Sequence, residues 1–110
     1  MEILFQNHDA PVSDRMRRRA EQAVRKAARR ARRPVDALIR FREDGPTRLV
    51  ELTLHTATGR RYVASSEARY FGTALADAAR RLTAQLDHTK RTPKARVRRE
   101  ARREGRRGAA

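Results

Sequence analysis

Residues 35–66 read VDALIRFREDGPTRLVELTLHTATGRRYVASS, and the alternation within this stretch decides the fold. Val35, Ala37, Ile39 and Phe41 alternate with Asp36, Leu38, Arg40 and Arg42. Val50, Leu52 and Leu54 alternate with Leu49, Glu51, Thr53 and His55. Tyr62, Ala64 and Ser66 alternate with Arg61, Val63 and Ser65. Successive side chains of a strand point to opposite faces, so a period of two predicts a sheet with one face on a core. Glu43-Asp44-Gly45-Pro46 and Ala57-Thr58-Gly59 supply turn chemistry between the three strands. Links this short predict an antiparallel meander.

Upstream, Ile3 and Phe5 alternate with Glu2, Leu4 and Gln6, which suits a first strand. His8-Asp9-Ala10-Pro11 breaks it. Ser13 is placed as a helix N-cap, with Asp14 favourable in the first turn. Met16, Ala20, Ala23, Val24, Ala27, Ala28 and Ala31 then recur at helical spacing, and Pro34 is expected to end that helix. Downstream, Phe71, Ala74, Leu75, Ala78, Ala79, Leu82 and Leu86 form a second helical stripe between about Arg69 and about Arg91. Asp77 and Arg81 are spaced for an ion pair, and Gly72 is a cost near the helix start.

The predicted order is β-α-β-β-β-α. Each element has one apolar face, so the economical α+β packing is a four-stranded sheet with two helices on one face. The domain spans residues 1–91. Residues 92–110 carry no core-forming pattern and read as a disordered basic tail.

The charge is unevenly placed. Lys and Arg number 28 against 13 Asp and Glu, a net of +15. Ser13–Arg33 carries ten of these cations and two of the acids, and residues 90–110 carry the same again. The remainder is nearly neutral, so two segments hold the excess. A neutral body with a basic helix and a basic tail suits a polyanion partner.

Other classes recede. There is no cysteine, which excludes disulfides and thiolate metal sites. No run approaches the roughly 18 apolar residues of a membrane helix, and the N-terminus lacks signal-peptide character; a cytoplasmic protein without a membrane partner is expected. His8, His55 and His88 stand alone, with no metal-ligand spacing. Ser65-Ser66-Glu67 has no histidine pattern around it, and Gly59 stands outside any phosphate-binding fingerprint. No catalytic residue, cofactor, metal or small-molecule substrate is expected, and an enzyme is not.

Ala64-Ser65-Ser66-Glu67, followed by Tyr70-Phe71, Ala74-Leu75-Ala76-Asp77, Arg81-Leu82, Gln85-Leu86 and Lys90, resembles the ribosome hibernation-promoting factor family, also called ribosome-associated inhibitors. Its members carry an Ala-Ser-small-Glu strand end, an aromatic, an Ala-Ile-Asp-like turn, a Lys-Leu step and a Gln-Leu step. The resemblance covers roughly residues 1 to 91. It departs at Arg69, where the family usually has an acid. It also departs after Pro93, where the dimerisation domain of long members is absent, so the chain looks like a short form.

The resemblance implies a protein that occupies the mRNA and tRNA channel of the small ribosomal subunit, contacts 16S rRNA and blocks translation under stress, and that is monomeric off the ribosome. Arginine suits such a site, because its planar fork binds phosphate at two points and stacks on bases. The expected RNA contacts are Arg18, Arg25, Lys26, Arg29 and Arg30 on the first helix. On the second, Arg81, His88 and Lys90 match basic positions of the family. An alternative is a general structured-RNA-binding protein or RNA chaperone acting through the tail. A third reading is a module whose sheet docks an acidic protein.

Overall fold

Four strands hydrogen-bond in sequence order: β1 (Glu2–His8), β2 (Pro34–Asp44), β3 (Thr47–Thr56) and β4 (Arg61–Ala68). The computed structural model describes residues 1–8 and 10–90. β1 runs parallel to β2, and β2, β3 and β4 form the expected antiparallel meander. Helix α1 (Asp14–Ala28) makes the crossover between the two parallel strands, and α2 (Phe71–Lys90) follows β4.

The period-two pattern does what it predicts. Val50, Leu52 and Leu54 are each 0% exposed, and Ala37, Ile39 and Phe41 lie beside them on β2. Both helices cover this face. Ala20, Val24, Ala27 and Ala28 of α1 and Ala74, Leu75, Ala78, Leu82 and Leu86 of α2 join the same buried cluster. Fully burying a Val, Leu, Ile or Phe side chain stabilises by about 1.5–3 kcal/mol, so Ile39, Phe41, Val50, Leu52 and Leu54 of the strands and Val24, Leu75, Leu82 and Leu86 of the helices carry most of the core. Phe41 meets Phe71 edge to face, with ring centroids 5.4 Å apart.

Polar side chains tie α2 down. Arg81 donates to the Ser65 carbonyl at 2.8 Å and Gln85 to the Val63 carbonyl at 2.7 Å. These bonds cover an edge strand that would otherwise offer its backbone to other chains. The Ser66 hydroxyl, buried on β4, donates to Asp77 Oδ2 at 2.5 Å. Two residues of the resembling motif, eleven positions apart, therefore meet across the strand–helix junction.

Ser13 caps α1 as expected, accepting from the Met16 amide at 3.1 Å. A Cβ at Gly72 would lie 3.1 Å from the guanidinium of Arg19, an exposed and flexible side chain of α1 that can shift, so the meeting of the two helix starts does not itself demand glycine.

The element bounds depart from expectation in three places. α1 ends at Ala28, not at Pro34. The Arg30 and Ala31 amides bond back only three residues, and Arg33 turns left-handed with φ 49 while its carbonyl accepts from Ala57. Proline disfavours a helical residue before it, and β2 must begin beside Thr56, so the chain reverses over residues 29–33. Arg29 and Arg30 thus lie beyond the helix; Arg29 is its C-cap. β1 continues through His8, because parallel pairing carries it to Arg42. Glu43 and Asp44 belong to β2, leaving Gly45 and Pro46 as the turn; Gly45 has φ 56, the conformation a tight hairpin favours.

Candidate nucleic-acid interface

Helix α1 buries alanine and valine on one side, and this forces its cations to the other. Arg15, Arg18, Gln22, Arg25 and Arg29 recur every three or four residues, and all are exposed. With Lys26 beside them they form a ridge about 20 Å long, at 1.5 Å per residue. Arg17 falls on the inner side instead, where its guanidinium lies 5.5 Å from the Phe5 ring centroid.

The cations differ in what already holds them. Arg15, Arg18, Lys26 and Arg29 have no acidic partner among the described residues. Arg25 is bonded to Glu21 on the same helix at 2.9 and 3.1 Å. Arg30 grips both oxygens of Asp87 at 2.7 and 2.9 Å and so staples the end of α1 to α2. Exposed pairs of this kind contribute only about 0–1 kcal/mol. Each carboxylate therefore competes with phosphate for its arginine.

On α2, Arg81 is occupied twice, by the Ser65 carbonyl and by Asp77 at 3.3 Å. Arg80 also binds Asp77. The Ser66 hydroxyl, then Arg81 and Arg80, hold the Asp77 carboxyl below its ordinary range against the opposing effect of burial. Asp77 therefore stays charged and keeps Arg81 in place. His88 is exposed one turn beyond Gln85, and Lys90 is the last residue of α2; its side chain lies outside the described residues. Residues 92–110, expected as a tail, also lie outside them.

The structure thus gathers Arg18, Arg25, Lys26 and Arg29 on one ridge. Arg30 is set at its end, and Arg81 is turned toward the β4 edge. Arg15, absent from the expected contacts, shares the ridge; its three-residue spacing from Arg18 was the available signal. The Asp77–Arg81 pair follows from its four-residue spacing, whereas Asp87, 57 residues from Arg30, and the Ser65 carbonyl, 16 residues from Arg81, carry no sequence signal.

The open face of the sheet is a different surface. Leu4, Leu38, Thr53 and Val63 stand in register across all four strands. Leu4 is 53% exposed, whereas Thr53 is 7% exposed between its neighbours. One row away, His55 Nδ1 and Asp36 Oδ1 are 2.6 Å apart. His55 reads as isolated in sequence, and only the β2–β3 register supplies its partner. Among the described residues no three His, Asp or Glu cluster to hold a metal, and no helix is long and apolar enough to cross a membrane.

Residues 3–94 match the family model described as sigma 54 modulation protein / S30EA ribosomal protein. Among solved structures, a ribosomal subunit interface protein from Coxiella burnetii aligns with a TM-score of 0.72 at 17% identity, covering 84% of this chain and 100% of that one. The N-terminal domain of Protein Y from Thermus thermophilus aligns with a TM-score of 0.68 at 16% identity, covering 81% and 96%. At these identities the two structures speak to the fold. No curated protein matches the chain in sequence.

Proposed function

The chain belongs to the sigma 54 modulation protein / S30EA ribosomal protein family of ribosome-associated hibernation proteins, and we propose that it silences ribosomes by lying in the mRNA and tRNA channel of the small subunit, against 16S rRNA. The observation that carries this reading is the α1 ridge, where four cations without acidic partners face solvent along one line. Unpaired guanidinium groups on a rigid helix give phosphate contacts at low entropic cost, because the scaffold is already ordered. Residues 1–91 act as the binding domain, and residues 92–110 extend its reach as a basic tail. The protein works in the cytoplasm under stress, as a binding protein and not an enzyme, and is monomeric off the ribosome.

Sucrose-gradient sedimentation of tagged protein from starved cells tests this reading. Full-length protein is expected in the small-subunit or whole-ribosome fractions, and removing residues 93–110 is expected to leave substantial binding. Purified protein is expected to inhibit translation in vitro. Protein that stays at the top of the gradient and leaves translation unchanged would sink the reading. Binding that vanishes with residues 93–110 would favour a tail-driven RNA chaperone.

A further inference from the structure

The charge count along the chain makes Arg60 and Arg61 part of a near-neutral body, yet the fold places them elsewhere. The Ala57 amide donates to the Arg33 carbonyl at 2.9 Å, and the Thr56 amide to the Arg60 carbonyl at 3.0 Å. These bonds set the turn after α1 beside the β3–β4 turn. Arg29, Arg30, Arg32, Arg33, Arg60 and Arg61 therefore share one end of the molecule, and all six are exposed. The last turn of α2 joins them: Arg81 bonds to residue 65 and Gln85 to residue 63, so His88 comes level with residue 61.

This end is cationic beyond what the fold uses. Its carboxylates among the described residues are Asp87, Asp36 and Glu2; Asp87 holds Arg30, and Asp36 lies against His55. Two helix C-termini add about half a negative charge each. Six arginines exceed this by about two charges. The opposite end of the sheet carries Arg15, Arg19, Arg42, Arg48 and Arg69 against Asp14, Glu43, Asp44 and Glu67, and two helix N-termini add about half a positive charge each, so net charge alone does not set the two ends apart.

The six arginines also look in different directions. Arg29 continues the α1 ridge, on the helix side of the sheet. Arg61 stands in register with His55 and Asp36, on the open side. Arg32, Arg33 and Arg60 occupy the turns between. A straight duplex lying on α1 does not reach the far side of a helix-on-sheet layer.

We propose that this arginine end is a second wall of the RNA-binding surface, gripping a separate stretch of phosphodiester backbone from the one α1 follows, so that the chain fits a folded RNA cleft and not a straight duplex. Arg33 takes φ 49 in the turn, a left-handed conformation that costs a non-glycine residue about 1–2 kcal/mol. The inference rests on the ribosomal reading for the identity of the RNA, but not for its shape.

The test compares Arg60→Ala/Arg61→Ala with Arg42→Ala/Arg69→Ala, which removes equal charge from the opposite end. Each full-length variant is titrated against isolated small subunits, a three-way-junction RNA and a straight RNA duplex over a range of salt. On both folded RNAs the Arg60/Arg61 variant is expected to flatten the log–log salt slope by about 1.4–1.8, at about 0.7–0.9 for each phosphate that is no longer neutralised. The control pair is expected to change it by less than about 0.5. On the duplex the two variants are expected to match. Arg33→Gly, whose φ glycine adopts freely, is expected to keep or raise stability while weakening affinity for folded RNA. Equal effects of the two pairs on folded RNA would overturn the second wall and leave the ribosomal reading intact. A slope change on the junction without any binding to small subunits would do the reverse. Failure to bind either folded RNA would overturn both.

Discussion

Glu21→Gln separates what stabilises α1 from what binds RNA. Glu21 accepts two hydrogen bonds from Arg25, at 2.9 and 3.1 Å, on the flank of the basic ridge. The pair is exposed, with side chains 49% and 38% accessible, and spaced four residues apart. Such pairs stabilise a helix by about 0.3–0.5 kcal/mol, so glutamine is expected to lower stability by no more than that. Its effect on RNA binding runs the other way. Arg25 is released, and a carboxylate is removed from the surface that meets phosphate. One added phosphate contact steepens the salt dependence by about 0.7–0.9. Over a fourfold change in salt, that slope multiplies the affinity gain by about threefold. Fluorescence anisotropy on labelled small subunits at several salt concentrations reads this directly, with urea unfolding as the stability arm. Glu21→Gln/Arg25→Ala is expected to lose the gain. An unchanged slope, or weaker binding by Glu21→Gln alone, would refute Arg25 as a phosphate contact and with it the placement of RNA along this face.

Leu52→Ala is expected to destabilise by about 3–5 kcal/mol in urea unfolding, because Leu52 is 0% exposed on a central strand between Ile39 and Ala64; a loss below about 1.5 kcal/mol would argue against the core. Asp87→Asn is expected to cost about 0.2–1 kcal/mol of stability while tightening RNA binding by freeing Arg30, and unchanged affinity would leave Arg30 as a staple alone. Asp77 is held below its ordinary value by the Ser66 hydroxyl and by Arg81 and Arg80. Its contribution is therefore fully present above about pH 4 and is lost as pH falls through the lowered folded value. Asp77→Asn is expected to flatten the acid limb of the stability–pH curve, most visibly as a smaller gap from wild type below about pH 4 than at pH 7; a constant gap would contradict the sign.

The elements with a strong internal period were legible in the sequence. Val50, Leu52 and Leu54 are buried as their alternation requires, and every residue of the Phe71–Leu86 stripe packs on the core. The end of α1 was not legible. Ala31 continues the helical spacing and is packed against the core, but it gets there through a turn, because β2 has to start beside Thr56. Local pattern cannot report a constraint set by a strand twenty residues away. The same limit governs the interface. The ridge of α1 and the Asp77–Arg81 pair follow from period 3.6, whereas the partners of Arg30 and His55, the bond of Arg81 to the Ser65 carbonyl, and the meeting of Arg33 with the β3–β4 turn arise from register and layer packing. A charge count along the chain assigns Arg60 and Arg61 to a neutral body; in space they join Arg29, Arg30, Arg32 and Arg33.

If the α1 ridge occupies the small-subunit channel used by tRNA and mRNA, protein and tRNA must compete for it. Displacement of labelled tRNA from mRNA-programmed small subunits reads that competition without intermediate steps. Wild-type protein is expected to release the tRNA at near-stoichiometric concentration, and Arg18→Glu/Lys26→Glu/Arg29→Glu is expected not to. Protein and tRNA held together on the same subunit would contradict the placement of the ridge.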